Sequence, residues 1–372
     1  MKKLVQYKGK KVNDMKALAR YGKPFGGYKM IDVPVPEVGP EDVLIEIKAA
    51  TICGADMKHY KVDNGSKDFN SIRGHEFAGD VVKVGSKVTD WKVGDRVVSD
   101  NTGHVCGLCP ACDEGDFLLC PHKINLGLDN NHWGGGFTKY CLVPGEILRI
   151  HKHALWRIPD NVKYEEASCL DPISNAYKAV AEQSGLKPGD DVVVFGTGPL
   201  GLFSVQIAKL IGALKIVVVG LDADTKYRFD IAKKLGATDC VNGSKEDVLK
   251  RCKEIIGEEN LGTVIECSGA MVALHQSIEM VCPNATIVRV GMGYKSFNYP
   301  INRITEWNID IKGHQAYSSS TWRRTTKLLA AHKVDVESMI THRYGLSEWQ
   351  KGFDAMADKS AIKVVFHYDF DD

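Results

Sequence analysis

The feature that most constrains this chain is a buried strand running straight into a glycine turn. Asp191-Val192-Val193-Val194-Phe195 is followed at once by Gly196-Thr197-Gly198-Pro199-Leu200-Gly201. A short, continuous β-branched run of this kind belongs in a sheet covered on both faces. An apolar helix is expected next, over about 200–211, and then a second strand over 215–219. Strand, crossover helix and strand at that rhythm require a parallel sheet with right-handed connections. A helix over 225–235 and strands at Thr263–Glu266 and 286–290 continue the alternation.

The glycine turn has the form G-x-G-x-x-G, a weak signal alone but an informative one between a strand and a helix. Gly196 permits the tight turn, Gly198 lets a pyrophosphate approach the backbone, and Gly201 lets helix and strand pack closely. The helix N-terminus adds free N–H groups and partial positive charge. Thr197, Pro199 and Leu200 complete the expected dinucleotide loop. An acidic residue about twenty positions on would read the ribose hydroxyls of NAD. Asp222 lies 21 positions after Gly201, with Asp224 as a second candidate. Lys226 and Arg228 would instead suit the 2′-phosphate of NADP; NAD is the favoured reading.

Upstream, from Met15 to about Cys169, the text is β-rich: short alternating runs such as 43–47, 79–84 and 95–98 are cut by Gly, Asp and Pro. With 372 residues, two or three domains are expected. The reading is an α/β chain: a β-rich domain over 1–170, a doubly wound parallel-sheet domain over 171–310, and a segment over 311–372 that returns to the first. The first fourteen residues read as an irregular arm. A helix near 321–331 and a last strand over 361–368 are expected in the tail.

Charge excludes several function classes. Lys and Arg number 48 against 47 Asp and Glu, for a formal charge of +1. Nothing in that balance serves to neutralise a phosphate backbone or an anionic membrane surface, so no nucleic-acid or membrane partner is expected. No run reaches the roughly 18 apolar residues a membrane helix needs; even 200–220 is interrupted by Gln206, Lys209 and Lys215. Met1-Lys2-Lys3 has no apolar stretch behind it and does not read as a secretion signal. A cytoplasmic location is expected.

Cysteine usage agrees. Of 11 cysteines, Cys106, Cys109, Cys112 and Cys120 crowd into one short lobe. Four thiolates at this spacing suit tetrahedral zinc, and with every position filled by sulfur the ion has a structural role. Cys53, in Ile52-Cys53-Gly54-Ala55-Asp56, and the His75–Glu76 pair, in Gly74-His75-Glu76-Phe77-Ala78-Gly79, are each unremarkable alone. Their joint occurrence with the lobe and the glycine loop, in this order, is not.

With those stretches, together with Gly135-Gly136-Phe137-Thr138-Lys139-Tyr140 and Val264-Ile265-Glu266-Cys267-Ser268-Gly269, the chain resembles the zinc-dependent medium-chain dehydrogenase/reductase superfamily. The resemblance runs from about Met15 to Tyr368 and is nearest to the polyol (sorbitol-type) and threonine dehydrogenase branch. It implies a GroES-like β domain, a Rossmann domain, and an active site in the cleft between them. It also implies a catalytic zinc at Cys53 and His75, with Glu76 as ligand or close neighbour and Asp171 as a further acidic ligand, direct or through water. Asp56 would orient a zinc ligand. Two Zn²⁺ per chain, NAD and a homodimer or homotetramer follow from the same resemblance.

The chemistry implied is hydride transfer between NAD and a secondary hydroxyl of a sugar alcohol, polyol or sugar acid, with threonine-type amino-alcohol oxidation as the rival. A zinc-stabilised binding protein of the same fold is the alternative outside enzymes. Two departures matter. Ala55 stands where members commonly carry a hydroxyl that starts a proton relay, which leaves Glu76, a zinc-bound water, or a water chain reaching Lys58 or His59 as the expected route. Gly313-His314-Gln315-Ala316-Tyr317 lacks an arginine common in sorbitol-type members. His132, Trp133, His314, Gln315 and Tyr317 are the candidate pocket residues, with Arg303 and Glu306 behind them.

Overall fold

The computed structural model describes residues 14–20, 27–58, 60, 71–129, 134–293 and 295–371. Contacts divide the chain into two compact units, one formed by Met1–Asp171 with Met339–Asp372, the other by Pro172–Ser338.

The first unit is built on a seven-stranded sheet. Along its main path the strands are Ile340–Gly345, Lys363–His367, Val43–Thr51, Glu76–Val84, Arg96–Ser99 and Leu155–Arg157, and Tyr140–Val143 also pairs with Val43–Thr51. The three short runs expected as strands lie in or overlap Val43–Thr51, Glu76–Val84 and Arg96–Ser99. The central strand is buried along most of its length, with only Glu46 and Lys48 half-buried. The last strand of the chain enters antiparallel to it, with Val365 opposite Thr51 and Phe366 opposite Ala50. This unit's core is aromatic at its centre. Phe353 is fully buried, with Tyr28 and Tyr60 each 5.0 Å away between ring centroids, and Phe137 packs edge-on against Phe366 at 5.4 Å.

The second unit holds six parallel strands in the order Asp239–Asn242, Ile216–Gly220, Val192–Phe195, Thr263–Glu266, Thr286–Arg289, Asp310–Gly313. Every residue of the expected strand, Val192–Phe195, is buried, and it pairs on both sides. Numbered along the chain, the order reverses at this strand, the switch point where doubly wound sheets bind ligands. The helix Pro199–Ile211 follows directly.

Two elements differ from the sequence expectation. The helix expected from 225 begins at Arg228, because Asp222–Asp224 first makes a tight 3-10 turn capped by the Asp224 carboxylate on the Leu221 N–H. The return to the first unit starts at Met339 rather than at 311. Residues 311–338 stay with the parallel sheet because Asp310–Gly313 is its edge strand. The helix Ser319–Ala330 is also tied down there, by a 2.7 Å hydrogen bond between Thr325 and Ser174. Residues 1–13 of the expected N-terminal arm lie outside the described residues, and Asp14 opens the strand Asp14–Arg20.

Phe353→Ala removes the ring shared by this aromatic cluster. It is expected to destabilise the first unit by about 3–5 kcal/mol, read as an early unfolding transition in urea.

Candidate functional site

A four-residue helix, Gly54–Met57, opens at Cys53, and the strand Glu76–Val84 opens at Glu76. Gly74 makes the bend ahead of them: its φ is +88°, and a Cβ there would lie 2.6 Å from the Phe137 ring. These turns bring together Cys53, His75 and Glu76. One ligand atom from each falls within 4.8 Å of the others. Cys53 is half-buried; His75 and Glu76 are buried. Thiolate, imidazole and carboxylate in one small pocket form a donor set suited to zinc. Burial, and then the Glu76 carboxylate, push the Cys53 thiol well above its ordinary range, so a metal binding there must displace its proton.

Asp56 ties the set together. Its Oδ2 accepts the Cys53 N–H at 3.0 Å, and its Oδ1 lies 3.8 Å from His75 Nδ1 and 3.5 Å from the guanidinium of fully buried Arg73. Tyr28 donates to the Asp56 carbonyl at 2.7 Å. At that separation the carboxylate lies behind the imidazole without a direct hydrogen bond to it.

Glu76 is held asymmetrically. Its Oε2 accepts hydrogen bonds from Thr51 Oγ1 and from the buried ammonium of Lys363, while its Oε1 is buried with no hydrogen-bond partner among the described residues. Lys363 also donates to the Ile52 carbonyl at 3.0 Å. Burial alone would lower the Lys363 pKa; the charge and hydrogen bond of Glu76, together with the Cys169 and Cys53 thiols, outweigh it and raise it. A buried carboxylate oxygen left unpaired is costly, and here it belongs to the residue that joins a thiol and an imidazole. The pocket therefore fits a cation.

Asp171 is not one of the three converging groups. It sits in the first turn of Leu170–Tyr177, where its Oδ1 accepts from Asn101 Nδ2 at 3.1 Å, and its charge bears on Cys53. Lys58 is exposed at the end of the Cys53 helix. His59, His132 and Trp133 lie outside the described residues.

The four-cysteine lobe also converges. Ligand atoms of Cys106, Cys109, Cys112 and Cys120 all lie within 4.8 Å of one another, with sulfur pairs at 3.5 Å and 3.6 Å. The Leu108 N–H lowers the Cys106 thiol to about 6. Buried His151 anchors the lobe's base, with Nε2 2.6 Å from Asp100 Oδ2 and its ring stacked on Phe117 at 4.2 Å.

In the second unit, the glycine loop caps the helix Pro199–Ile211. A Cβ on Gly201 would lie 2.0 Å from the Gly196 carbonyl oxygen, whereas one on Gly198 would meet nothing within 4 Å. The loop is thus closed on its packed side and open at Gly198, where a phosphate needs access. Pro199 occupies the first turn, and Thr197 is buried. Asp222 is exposed at the end of its strand. Its Oδ1 takes both Asn242 Nδ2 at 2.7 Å and Lys245 Nζ at 3.1 Å, contacts that lower its pKa. Arg228 is buried, with its guanidinium 3.8 Å from Asp224 and 3.4 Å from the Thr197 carbonyl. It braces the loop from behind instead of facing outward.

Of the candidate pocket residues in the second unit, His314, Tyr317 and Arg303 are already engaged. His314 places one ring nitrogen 2.7 Å from Gln183 and the other 3.0 Å from Asn175, and burial lowers its pKa to about 4. Tyr317 is buried against Trp322, with ring centroids 4.8 Å apart, and Gln315 is exposed. Arg303 bonds the carbonyls of Ile278 and Glu279 and stacks on Trp307; Glu306 is exposed.

Sequence reasoning missed Thr51, Arg73 and Lys363. The one usable signal was Lys363 itself, a lone cation inside Ala361-Ile362-Lys363-Val364-Val365-Phe366.

Comparison with known proteins gives two family matches, to "Alcohol dehydrogenase GroES-like domain" over residues 39–153 and to "Zinc-binding dehydrogenase" over residues 199–331. The Escherichia coli protein YdjL, described as an uncharacterized zinc-type alcohol dehydrogenase-like protein, is 68% identical over 358 residues, covering 96% of this chain and 100% of its own. D-arabitol-phosphate dehydrogenase of Enterococcus avium is 33% identical over 352 residues, covering 94% and 97%. Among solved structures, 2R,3R-butanediol dehydrogenase from Bacillus subtilis superposes with a TM-score of 0.82 at 28% identity, covering 95% of this chain and 100% of that one. Among the described residues, no helix is long and apolar enough to cross a membrane.

Gly201→Ala forces a methyl group into the Gly196 carbonyl. Overpacking of this kind costs about 1–3 kcal/mol, so NADH binding, followed by fluorescence titration, is expected to weaken by roughly tenfold or more.

Proposed function

This chain belongs to the zinc-binding alcohol dehydrogenases with a GroES-like domain, and from that premise we propose that it oxidises a secondary hydroxyl of a polyol or sugar-derived alcohol, with NAD as hydride acceptor. The observation that carries the reading is the convergence of Cys53, His75 and Glu76, with one Glu76 oxygen buried and unpaired among the described residues. The names of two relatives, a D-arabitol-phosphate and a 2R,3R-butanediol dehydrogenase, support hydroxyl-rich small molecules as the substrate class.

When bound, zinc supplies Lewis acidity that eases loss of the alcohol proton, and the nicotinamide accepts the hydride. The chain's own residues do the rest. Cys53 and His75 hold the metal, and Glu76 contributes a single oxygen. Asp56 holds the Cys53 backbone and places its charge behind the His75 ring. Asp171 adds negative charge from the helix after Cys169. Gly196–Gly201 and the helix behind it take the pyrophosphate, and Asp222 presents its second oxygen to the adenosine ribose. Lys245 and Asn242 hold Asp222 in the anionic form that this contact needs. With Arg228 turned into the loop, the loop itself offers less to a 2′-phosphate, which favours NAD over NADP. Ala55 has no hydroxyl to start a relay, so the proton leaves by water toward Lys58 or His59.

The lobe of four cysteines holds a second, structural zinc, giving two per chain. A homo-oligomer working in the cytoplasm completes the reading. The exposed strand Asp310–Gly313, at the end of its sheet, offers an edge for a neighbouring copy.

Two measurements test this. A panel of polyols, aldonates and L-threonine with NAD and NADP, followed by absorbance of the reduced cofactor, is expected to give its highest rates with a polyol and NAD. Activity confined to L-threonine, or absent throughout, defeats the substrate assignment. Metal analysis is expected to give two zincs per chain in the native protein and one in Cys53→Ser. That variant is expected to stay folded and bind NADH but to lose activity by about a thousandfold or more, several kcal/mol of transition-state stabilisation.

A further inference from the structure

Lys363 is a cation buried where the proposed function needs another cation to bind. Its side chain is about 1% exposed, and its ammonium lies against Glu76 Oε2 and 3.0 Å from the Ile52 carbonyl. Like charges this close in a poorly solvated pocket repel strongly. The position would suit an apolar side chain: Ala361, Ile362, Val364, Val365 and Phe366 around it are all buried. Balancing the buried Glu76 charge gives one reason for a lysine here, but that need alone does not say why only one oxygen of Glu76 is engaged. These contacts are selective. Lys363 and Thr51 both bind one oxygen of Glu76 and leave the other with no partner among the described residues.

We propose that Lys363 is a positioning residue that keeps Glu76 a weak, single-oxygen, exchangeable ligand. It holds Oε2 out of the ligand set. Its charge also offsets part of the carboxylate's pull on the metal. The position that the alcohol oxygen must occupy is then not filled permanently by a chelating Glu76. Cys53 and His75 supply the firm attachment. Glu76 fills in only when nothing else is bound. The proposal rests on the reading of Cys53, His75 and Glu76 as metal ligands, and it adds a reason for the buried lysine beside them.

The test uses the full-length protein stripped of metal and reloaded with cobalt(II), whose visible spectrum reports coordination. Subtracting the spectrum of Cys53→Ser isolates this site from the four-cysteine lobe. With Lys363→Met, the isolated spectrum is expected to change, and cobalt(II) is expected to bind about tenfold more tightly, as removal of a nearby like charge allows. Lys363→Arg is expected to keep the native spectrum. In a Glu76→Gln background, Lys363→Met is expected to leave the spectrum unchanged. If Lys363→Met fails to fold, Thr51→Val removes the other donor to Oε2 and is expected to shift the spectrum in the same direction. A purely structural lysine would lower thermal stability while the spectrum and affinity stayed native, and that result overturns the proposal. Weaker binding with a native spectrum overturns it too. If the native protein takes up no cobalt(II) at Cys53 and His75, the metal-site reading itself fails; if it does, and Lys363→Met is silent, only the role of Lys363 fails.

Discussion

A carboxylate buried beside a thiol and an imidazole is the constraint around which the first unit is arranged. Glu76 is fully enclosed, and an unpaired charge in such a place would cost several kcal/mol. The fold answers with two donors to one oxygen, Thr51 from the central strand and Lys363 from the terminal one. Lys363 is 287 residues away along the chain from Glu76. It gets there because the chain leaves the first unit after Asp171 and re-enters it at Met339. Its last strand then lies antiparallel to Val43–Thr51. The return crossing thus has a chemical consequence: it delivers the cation that makes Glu76 tolerable. Asp56 solves the matching problem on the other side, since Arg73 balances its charge while its two oxygens address Cys53 and His75.

The second unit depends on a steric condition instead. Helix Pro199–Ile211 can pack on its sheet only if residue 201 has no side chain, because the Gly196 carbonyl occupies the space a Cβ would need. That close approach sets the start of the helix and leaves Gly198 facing open space. The bracing by Arg228 and the clamp of Asn242 and Lys245 on Asp222 then fix the two ends of the dinucleotide-binding edge. Each is a short-range contact between neighbouring strand ends, which suits a parallel sheet, where all such ends lie on one side.

These two arrangements explain what could be read from the sequence. The strand Val192–Phe195, its glycine loop and its helix are contiguous, and their periodicity and spacing are local properties, so their type and order were legible. The cysteine lobe was legible for the same reason: its four ligands fall within one turn-rich stretch. Lys363, Thr51 and Arg73 were not, because their role comes from strand pairings and not from any local pattern. Asp171 was legible only through the family resemblance: its carboxylate accepts from Asn101 and its charge bears on Cys53, but it is not among the three groups that converge directly. The boundary at 311 misled, since a short exposed edge strand such as Asp310–Gly313 has almost no apolar signature to mark it as part of the sheet.

The two cysteine-bearing clusters show how one ligand chemistry serves two ends. In the lobe, four sulfurs close around a point with no oxygen donor among them, and the surroundings are short turns with little core of their own. A metal there would be saturated by the chain, and what it adds is rigidity. In the first unit a single sulfur, one imidazole and half of a carboxylate converge beside a seven-stranded sheet. Such a set is incomplete by construction. The protein spends buried charges, Arg73, Asp56 and Lys363, on keeping it so, because an incomplete set can take a further oxygen ligand from a small molecule. The two clusters differ both in their donors and in the buried Lys363 and Thr51 that occupy one oxygen of Glu76.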